Sequence, residues 1–131
     1  MKSKEMAELC EHHMRVELDA DLEGLMATLS ANPVWGHPEG PKIIGRDAVR
    51  AHYEGILKPG RHEARRLHTW TDEENQQAAS EYTVGVHLDD GSYVEFPVLQ
   101  IVSFDGKLIS SERLYYDPER PPVDHTGKPA G

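Results

Sequence analysis

Two histidines in this sequence stand where proton chemistry could be carried out. His37 follows a short apolar run and directly precedes Pro38, while His13 lies on the flank of an apolar helical stripe. An imidazole with an unperturbed pKa of about 6.5 can take or give a proton near neutral pH. The alternative is that both rings make only local hydrogen bonds, His37 in a loop and His13 on a helix.

Gln100 and Glu112 are polar residues on strand faces that are otherwise largely apolar. A buried amide needs hydrogen-bond partners, so Gln100 either orients a ligand carbonyl or serves a neighbouring side chain. If Glu112 points inward with Leu114 and Tyr116, we expect a desolvated carboxylate with a raised pKa, and a candidate base. A register shift of one residue would turn Arg113 inward instead.

Aromatic residues would give such a site a wall with hydroxyl tips, suited to a flat, partly polar molecule. The same positions also suit ordinary core, which is how we interpret Trp70. The residues expected to contact a ligand are Gln100, Tyr82, Trp35, Tyr53, Val84, Phe96, Val98, Glu112, Leu114 and Tyr116. No histidine pair has metal-site spacing with a carboxylate, and no phosphate-loop or dinucleotide motif is present, so neither a metal nor a cofactor is expected.

The segment from Ser80 to Asp117 must position most of these residues. Its three runs rich in valine, isoleucine, tyrosine and phenylalanine are separated by Asp89–Ser92 and Asp105–Lys107. Asp-Gly between such runs is the strongest short-range hairpin signal. The pattern predicts a three-stranded antiparallel meander, with Tyr82, Val84 and Val86 sharing a face, as do Phe96, Val98, Gln100 and Val102, and Ser110, Glu112, Leu114 and Tyr116. Pro97 predicts a strand edge or a bulge.

Three segments before the meander carry the apolar spacing of helices. The first runs from Ser3 to Leu18. The second is N-capped by Asp21 and ends near Asn32–Pro33, and the third begins around Gly45 and ends at Lys58–Gly60. Short strands are expected at 34–37 and 62–71.

This order of elements predicts an α+β fold. A curved, mainly antiparallel β-sheet would pack on three N-terminal helices and form a conical pocket. Residues 1–117 are expected to form a single domain, and the proline-rich residues 118–131 a loose tail.

The amino-acid composition limits the kinds of molecule that this protein is expected to bind. Acidic residues outnumber basic ones 23 to 14, for a formal charge of −9, so nucleic-acid binding has little electrostatic support. No apolar run approaches the roughly 20 residues of a membrane span, and no signal peptide is apparent. We interpret the single cysteine, Cys10, as a small buried apolar residue, and a lone cysteine is typical of a protein in a reducing compartment. We therefore expect a cytoplasmic protein with neither nucleic-acid nor membrane partners.

Several segments together resemble the nuclear transport factor 2-like superfamily, and in particular its SnoaL-like branch. They are Asp21–Glu23, Trp35–Pro38, Gly45–Arg50, Phe104–Leu108 and Arg113–Asp117. The resemblance covers about His12 to Asp117 and implies a cystatin-like α+β roll. Because this superfamily includes polyketide cyclases, ketosteroid isomerases, limonene epoxide hydrolases and scytalone dehydratase, the resemblance is specific for the fold and weak for the reaction.

The catalytic residues of two of these relatives are replaced here. The oxyanion-binding tyrosine and the catalytic aspartate of ketosteroid isomerases correspond to His13 and His37, and their protonated aspartate corresponds to Gln100, which cannot titrate. The arginine and two aspartates of limonene epoxide hydrolases correspond to Tyr82, Val84 and Leu114. Neither steroid isomerisation nor epoxide opening by that triad is expected.

The resemblance and the residues together favour a cofactor-independent isomerase, lyase or cyclase acting on a small hydrophobic or aromatic metabolite. His37 would be the general base, because this superfamily often places its base there, and His13 the partner acid. Gln100 and Tyr82 would hold a substrate oxygen. The alternative is a non-catalytic binding or dimerisation module.

A homodimer is also expected. Both faces of the middle meander strand are apolar, with Leu99 and Ile101 on the face away from the helices. A sheet apolar on both sides needs a cover on each. We expect a second copy of the chain to cover this outer face.

Overall fold

The computed structural model describes residues 1–37 and 40–117. The expected tail over 118–131 lies outside the described residues. The helices are α1 (Ser3–Leu18), α2 (Leu22–Met26) and α3 (Arg46–Ile56); the strands are β1 (Leu29–Gly36), β2 (Lys42–Ile44), β3 (His62–Asp72), β4 (Gln77–His87), β5 (Tyr93–Asp105) and β6 (Leu108–Tyr115). These form one sheet in the order β2-β1-β6-β5-β4-β3. Among these described strands only β1 and β6 pair in parallel, so the predicted α+β fold with a mainly antiparallel sheet is confirmed.

The helices cover one face of the sheet at two places. α1 packs on β3 and β4, and α3 packs on β1 and β2. Their apolar stripes supply buried residues such as Met6, Cys10 and Val49, which meet Phe104 and Ile109 from the sheet. The amphipathic spacing therefore buries one side of each helix and leaves a pocket between them. No helix in the described part of the chain is long and apolar enough to cross a membrane.

Local capping explains where the helices begin. The side chain of Asp21 accepts a hydrogen bond from the backbone N–H of Gly24 at 2.9 Å, as an N-cap should. Gly45 adopts φ +95 at the N-cap of α3, a conformation that glycine takes most readily. The guanidinium of the next residue, Arg46, donates to the carbonyls of Met26, Leu29 and Ser30. The start of α3 is thereby tied to the end of α2 and to β1.

The prediction that the second helix continues to Asn32–Pro33 is wrong. α2 ends at Met26, and β1 begins at Leu29, which pairs with Ile109 of β6. Sheet pairing with a distant strand thus overrides the helical spacing of Leu29. Pro33 is accommodated because the β1–β6 register is irregular between Leu29 and Val34, so a missing N–H costs no ladder bond there.

The meander is confirmed, and a bulge corrects one of its predicted faces. Ser103 pairs with Ser111 while Phe104 pairs with Ile109, so Ser110 is an extra residue in β6. Ile109 and Glu112 are consequently both buried, and Ser110 does not share their face.

Pro97 lies beyond the last β5–β6 pair, which joins Leu99 to Tyr115. It is therefore flanked by a partner strand on the β4 side alone, where it faces Thr83. The prediction of an edge position is confirmed.

A second bulge explains why the expectation of a core Trp70 is wrong. The β3–β4 register shifts between Arg66 and His68, so Leu67 is an extra residue. Before the bulge His62 and Ala64 line the pocket, and after it the alternation is inverted. Trp70 therefore pairs with Ala79 on the outer face and is 51% exposed.

Candidate active site

A pocket opens between α1, α3 and the inner face of the sheet. The empty space of this pocket, including its open mouth, is about 590 Å³. The part of it that lies far enough from every protein atom to take the centre of a water molecule is about 60 Å³. The lining residues are Met14, Glu17, Leu18, Trp35, Tyr53, His62, Glu63, Ala64, Tyr82, Val84, Val98, Gln100 and Leu114. Most of this wall is aliphatic or aromatic, so the pocket favours an apolar ligand. Its narrow interior means that a multi-ring ligand must push side chains aside.

A buried carboxylate, Glu112 of β6, lies in the protein interior beneath this pocket. Only 2% of its side chain is exposed. The hydroxyl of Tyr53 donates to Oε2 at 2.8 Å, and the amide of Gln100 donates to Oε1 at 3.0 Å. Nε2 of His13, also 2% exposed, forms an ion pair with Oε1 at 2.8 Å. Side chains from α1, α3 and β5 thus converge on one carboxylate, which we call the floor network (His13, Tyr53, Gln100 and Glu112).

The hydrogen bonds of Thr28 show where the protons of His13 lie. The Thr28 hydroxyl donates its single hydrogen to the carbonyl of Leu25 at 2.6 Å. Its oxygen must therefore accept from Nδ1 of His13, 2.7 Å away, so Nδ1 carries a hydrogen. The approach of Nε2 to within 2.8 Å of a carboxylate oxygen favours a hydrogen on Nε2 as well, because two lone pairs at that distance repel. The His13–Glu112 contact is therefore an ion pair, without the alignment of a hydrogen bond.

The pKa values of the two partners agree with this assignment. Burial lowers the pKa of His13, but the charge and hydrogen bonding of Glu112 outweigh it, so the pKa is raised overall. Burial likewise raises the pKa of Glu112, yet His13 and the Tyr53 hydroxyl more than offset this and leave the pKa below its usual value. Both shifts favour the charged form of the pair, imidazolium and carboxylate, over the neutral form. The raised pKa that the sequence led us to expect for Glu112 is not found.

Tyr53 remains a neutral donor in this network. Burial, reinforced by the negative charge of Glu112, raises the pKa of its hydroxyl well above the ordinary value. Its ring and that of His13 form a T-shaped pair, with centroids 6.4 Å apart. Tyr53 thus both lines the pocket and fixes the carboxylate below it.

Glu17 is a functional candidate that sequence reasoning missed. It lies on α1, lines the pocket and is half-buried. Burial raises its pKa to about 7; the charge of His13 opposes this shift and that of Glu112 adds to it. Its spacing of four residues from His13, which puts both on one helix face, is the signal that could have identified it.

Tyr82 places a hydroxyl in the wall without a good partner. The side chain is buried, and its oxygen forms no hydrogen bond within the described residues. Burial raises the pKa of this hydroxyl to about 12. Ser80, on the same strand face, opposes this rise in pKa, but its own oxygen is bonded to Thr69 at 2.9 Å. A ligand oxygen at this wall could therefore accept a hydrogen bond from the Tyr82 hydroxyl without displacing another partner among the described residues.

The remaining predicted contacts fall in three places. Those that line the pocket are Trp35, Tyr53, Tyr82, Val84, Val98, Gln100 and Leu114. Glu112 and His13 lie beneath it. Phe96 and Tyr116 pack against each other at 5.7 Å in a neighbouring apolar cluster and are not among the described lining residues.

His37 stands apart from the floor network. Its ring packs edge-on between Trp35 at 5.4 Å and Tyr116 at 5.2 Å, and Nδ1 lies 3.4 Å from the carbonyl oxygen of Leu114. It is not among the described residues that line the pocket. The structure thus brings His13 and Gln100 together on Glu112, and leaves His37 outside that group.

This fold and the pocket between helices and sheet define a member of the nuclear transport factor 2-like superfamily. Within it, residues 10–112 match the SnoaL-like domain, and the chain belongs to that family. Among curated proteins, none matches the sequence closely enough to indicate a relationship.

Solved structures with the same fold share little sequence with this chain. Rv0760c from Mycobacterium tuberculosis, in complex with estradiol-17β-hemisuccinate, has a TM-score of 0.76 and 19% identity, over 86% of this chain and 94% of that one. An epoxide hydrolase of M. tuberculosis, similar to limonene epoxide hydrolase, has a TM-score of 0.75 and 19% identity, over 87% and 84% of the two chains.

Two further structures extend the range of functions found on this fold. SalBIII, an epoxide hydrolase/cyclase-like enzyme of pyran ring formation in salinomycin, has a TM-score of 0.79 and 11% identity, over 88% and 93% of the chains. A computationally designed 17-OHP binder has a TM-score of 0.76 and 19% identity, over 86% and 93%. At these identities the likeness shows the fold alone.

Proposed function

We propose that this protein is a cofactor-independent enzyme of the isomerase, dehydratase or cyclase type. It would move a proton on a small hydrophobic or aromatic metabolite bound in the pocket. The observation that carries the proposal is the buried ion pair of His13 and Glu112 beneath an apolar pocket. A charged pair held in a dry interior is costly unless it serves stability or chemistry, and pairs of this kind cluster at functional sites.

Gln100 connects the pair to a bound ligand. Its amide lines the pocket and also donates to Glu112. The hydroxyl of Tyr82, which has no hydrogen-bond partner within the described residues, would donate a hydrogen bond to a substrate oxygen. The ion pair of His13 and Glu112 below the pocket would keep the electrostatic environment of the site fixed. In this proposal His37 packs behind Trp35 and stays outside the proton path.

Ring-bearing apolar ligands are the substrate class that the comparisons favour. Rv0760c is in complex with an estradiol derivative, and the designed protein binds 17-OHP. The epoxide hydrolase and SalBIII carry out ring-opening and ring-forming chemistry on the same fold. The aromatic wall formed by Trp35, Tyr53 and Tyr82 supports the extension of this class to the present chain.

Deuterium exchange tests the proposal without a known substrate. Cyclic ketones and phenolic compounds that raise the melting temperature are incubated with the protein in D₂O, and deuterium uptake at carbon is followed by NMR. We expect exchange with the wild type, at least about 100-fold slower exchange in His13→Gln, and none of that loss in the exposed neighbour His12→Gln. Binding without exchange for every compound would overturn the proposal.

The competing candidate is a non-catalytic binding protein of the same fold. The designed 17-OHP binder favours it, because that protein shares the fold and is described as a binder. The exchange experiment separates the two candidates: a binder raises its melting temperature with a ligand yet leaves the carbon-bound hydrogens in place.

We also propose a homodimer through the outer face of the sheet. Leu99 and Ile101 are half-exposed there, beside the exposed indole of Trp70. Burying this face against a second copy would remove an apolar strip from water. Size-exclusion chromatography with light scattering should show a dimer, and Ile101→Glu should convert it to a monomer. A monomeric wild type would contradict this.

A further inference from the structure

We propose that Glu17 is the residue that exchanges a proton with the substrate, and that this substrate is an uncharged carbon acid. The inference deepens the proposed function, on which it rests, by naming the base and the class of molecule. It stands on the placement of Glu17 in the pocket wall and on the groups that surround it.

Glu17 is placed as a base must be. It comes one helical turn after His13 on α1 and lines the pocket. Within the described residues its carboxylate has neither an ion-pair nor a hydrogen-bond partner, so its lone pairs are available to a ligand. Glu112, by contrast, already receives two hydrogen bonds and an ion pair. The enclosed carboxylate is therefore the poorer candidate for contact with substrate.

The groups facing Glu17 come from every neighbouring element. They are His13 on α1, Tyr53 on α3, His62 and Glu63 on β3, Tyr82 on β4, Gln100 on β5 and Glu112 on β6. None of the described residues that line the pocket is a lysine or an arginine. In the part of the chain that the structure describes, the charge that favours an ionised Glu17 is that of His13 below the pocket, and Glu112 already neutralises it. The pKa of Glu17 is accordingly raised to about 7, where both protonation states are populated in neutral solution.

The proton balance is simple. The ionised Glu17 takes a hydrogen from a carbon next to a carbonyl group; the C–H bond breaks and an O–H bond forms on Glu17. The electron pair moves into a carbon–carbon double bond and the charge onto the carbonyl oxygen, where the Tyr82 hydroxyl can donate a hydrogen bond. Return of the proton to a different carbon completes an isomerisation, with no other reactant consumed.

The same charges select the substrate. An anionic ligand would enter a pocket bordered by Glu17 and Glu63 with Glu112 below, and would be repelled. A neutral ketone or enone with apolar rings meets no such penalty and fits the aliphatic and aromatic wall. The structure thus favours neutral carbonyl compounds over carboxylic acids of similar shape.

The test uses 5-nitrobenzisoxazole, an uncharged carbon acid. A base removes its ring C–H hydrogen, the N–O bond breaks, and coloured 2-cyano-4-nitrophenolate is released. We expect saturable turnover whose rate rises with pH through about 7. Glu17→Gln should lower kcat/KM at least about 100-fold, whereas the matched control Glu8→Gln, exposed on the same helix and outside the pocket, should stay within about twofold.

A second measurement is independent of turnover. Carbon-13 NMR of glutamate side chains, assigned with Glu17→Gln, should show one carboxyl titrating near 7 in the wild type. Far-UV circular dichroism checks the fold of the variant, and Glu17→Asp, which keeps the charge but shortens the reach, should fold and lose most of the turnover. A Glu17 that titrates near 4.5, or full turnover in Glu17→Gln, would overturn the inference.

Failure here can be told apart from failure of the proposed function. If deuterium exchange is lost in His13→Gln but retained in Glu17→Gln, the enzyme proposal stands and Glu17 is not the base. If Glu17 titrates near 7 and drives benzisoxazole turnover while no metabolite exchanges deuterium, the base is correct and the proposed function is not.

Discussion

Glu112 and Glu17 are two carboxylates of the same interior, and their surroundings shift their pKa values in opposite directions. Glu112 is almost completely buried, yet its pKa is lowered, because His13 and the Tyr53 hydroxyl outweigh desolvation. Glu17 is less buried, yet desolvation raises its pKa to about 7, because no donor among the described residues contacts it to offset that cost. The difference shows that partners, more than depth, decide how a carboxylate titrates.

This contrast implies that the floor network and the pocket wall have different roles in the site. The polar groups of the floor network are already paired with one another, so the network should act as a fixed electrostatic support. The pocket wall carries the carboxylate of Glu17 and the hydroxyl of Tyr82, which have no hydrogen-bond partner within the described residues. Stability should therefore respond most to changes in the floor, and proton exchange most to changes in the wall.

Removal of Glu112 should have the largest effect on stability. Glu112→Ala leaves the imidazolium of His13 buried without its counter-ion, and such a loss costs about 3–5 kcal/mol in the free energy of unfolding. Urea denaturation measures it. The exposed Glu63→Ala should change the value by no more than about 0.5 kcal/mol. A loss below about 1 kcal/mol for Glu112→Ala would mean that the two carboxylates are not as different as described.

Loss of one donor to Glu112 should have a smaller effect. Tyr53→Phe removes a buried hydrogen bond to a charged group, worth about 1.5–3 kcal/mol, and should raise the pKa of Glu112 toward its ordinary value. Denaturation midpoints and carbon-13 titration report the two changes. Tyr93→Phe, at an exposed tyrosine, is the matched control and should leave both nearly unchanged.

The smallest of the three expected effects is a change in how the free energy of unfolding depends on pH, and this change should identify Glu17. Because its folded pKa is raised from 4.5 to about 7, the folded protein binds more protons than the unfolded chain in that window. The free energy of unfolding should therefore fall as pH rises from 4.5 to about 7, and Glu17→Gln should flatten that fall. Urea midpoints at several pH values measure the slope.

In the floor network, Glu112 titrates below that window, and His13 overlaps only its upper end, above 6.5. The raised pKa of His13 gives stability that is complete below 6.5 and lost as pH rises through its higher folded value. The lowered pKa of Glu112 gives stability that is complete above 4.5 and lost as pH falls through its lower folded value. Both changes should persist in Glu17→Gln. An unchanged slope between 4.5 and 7 in that variant would contradict the raised pKa of Glu17.

Features with a local cause could be predicted from the sequence. The N-cap at Asp21, the start of α3 at Gly45 and the Asp-Gly hairpin at Gly106 each depend on a few adjacent residues. Strand alternation also identified Gln100 as buried, and Glu112 as one of the two residues competing for an inward position. These signals do not depend on distant contacts.

Features set by distant strands could not be predicted. The conversion of Leu29 from helix to strand depends on its pairing with Ile109, and the exposure of Trp70 depends on a bulge at Leu67. The encounter of His13 with Glu112 likewise depends on how α1 lies over β6. Propensity and spacing describe neighbours along the chain, whereas these outcomes are determined by neighbours across the sheet.

The floor network joins the first helix to the last described strand, and this has a consequence during synthesis. His13 is made early, but its counter-ion at Glu112 leaves the ribosome only after β5 has been translated. Until then the imidazole has no carboxylate to hold its extra proton, and α1 lacks the ion pair that lies beneath the pocket. The floor network can therefore be completed only once β6, the last described strand, has been made.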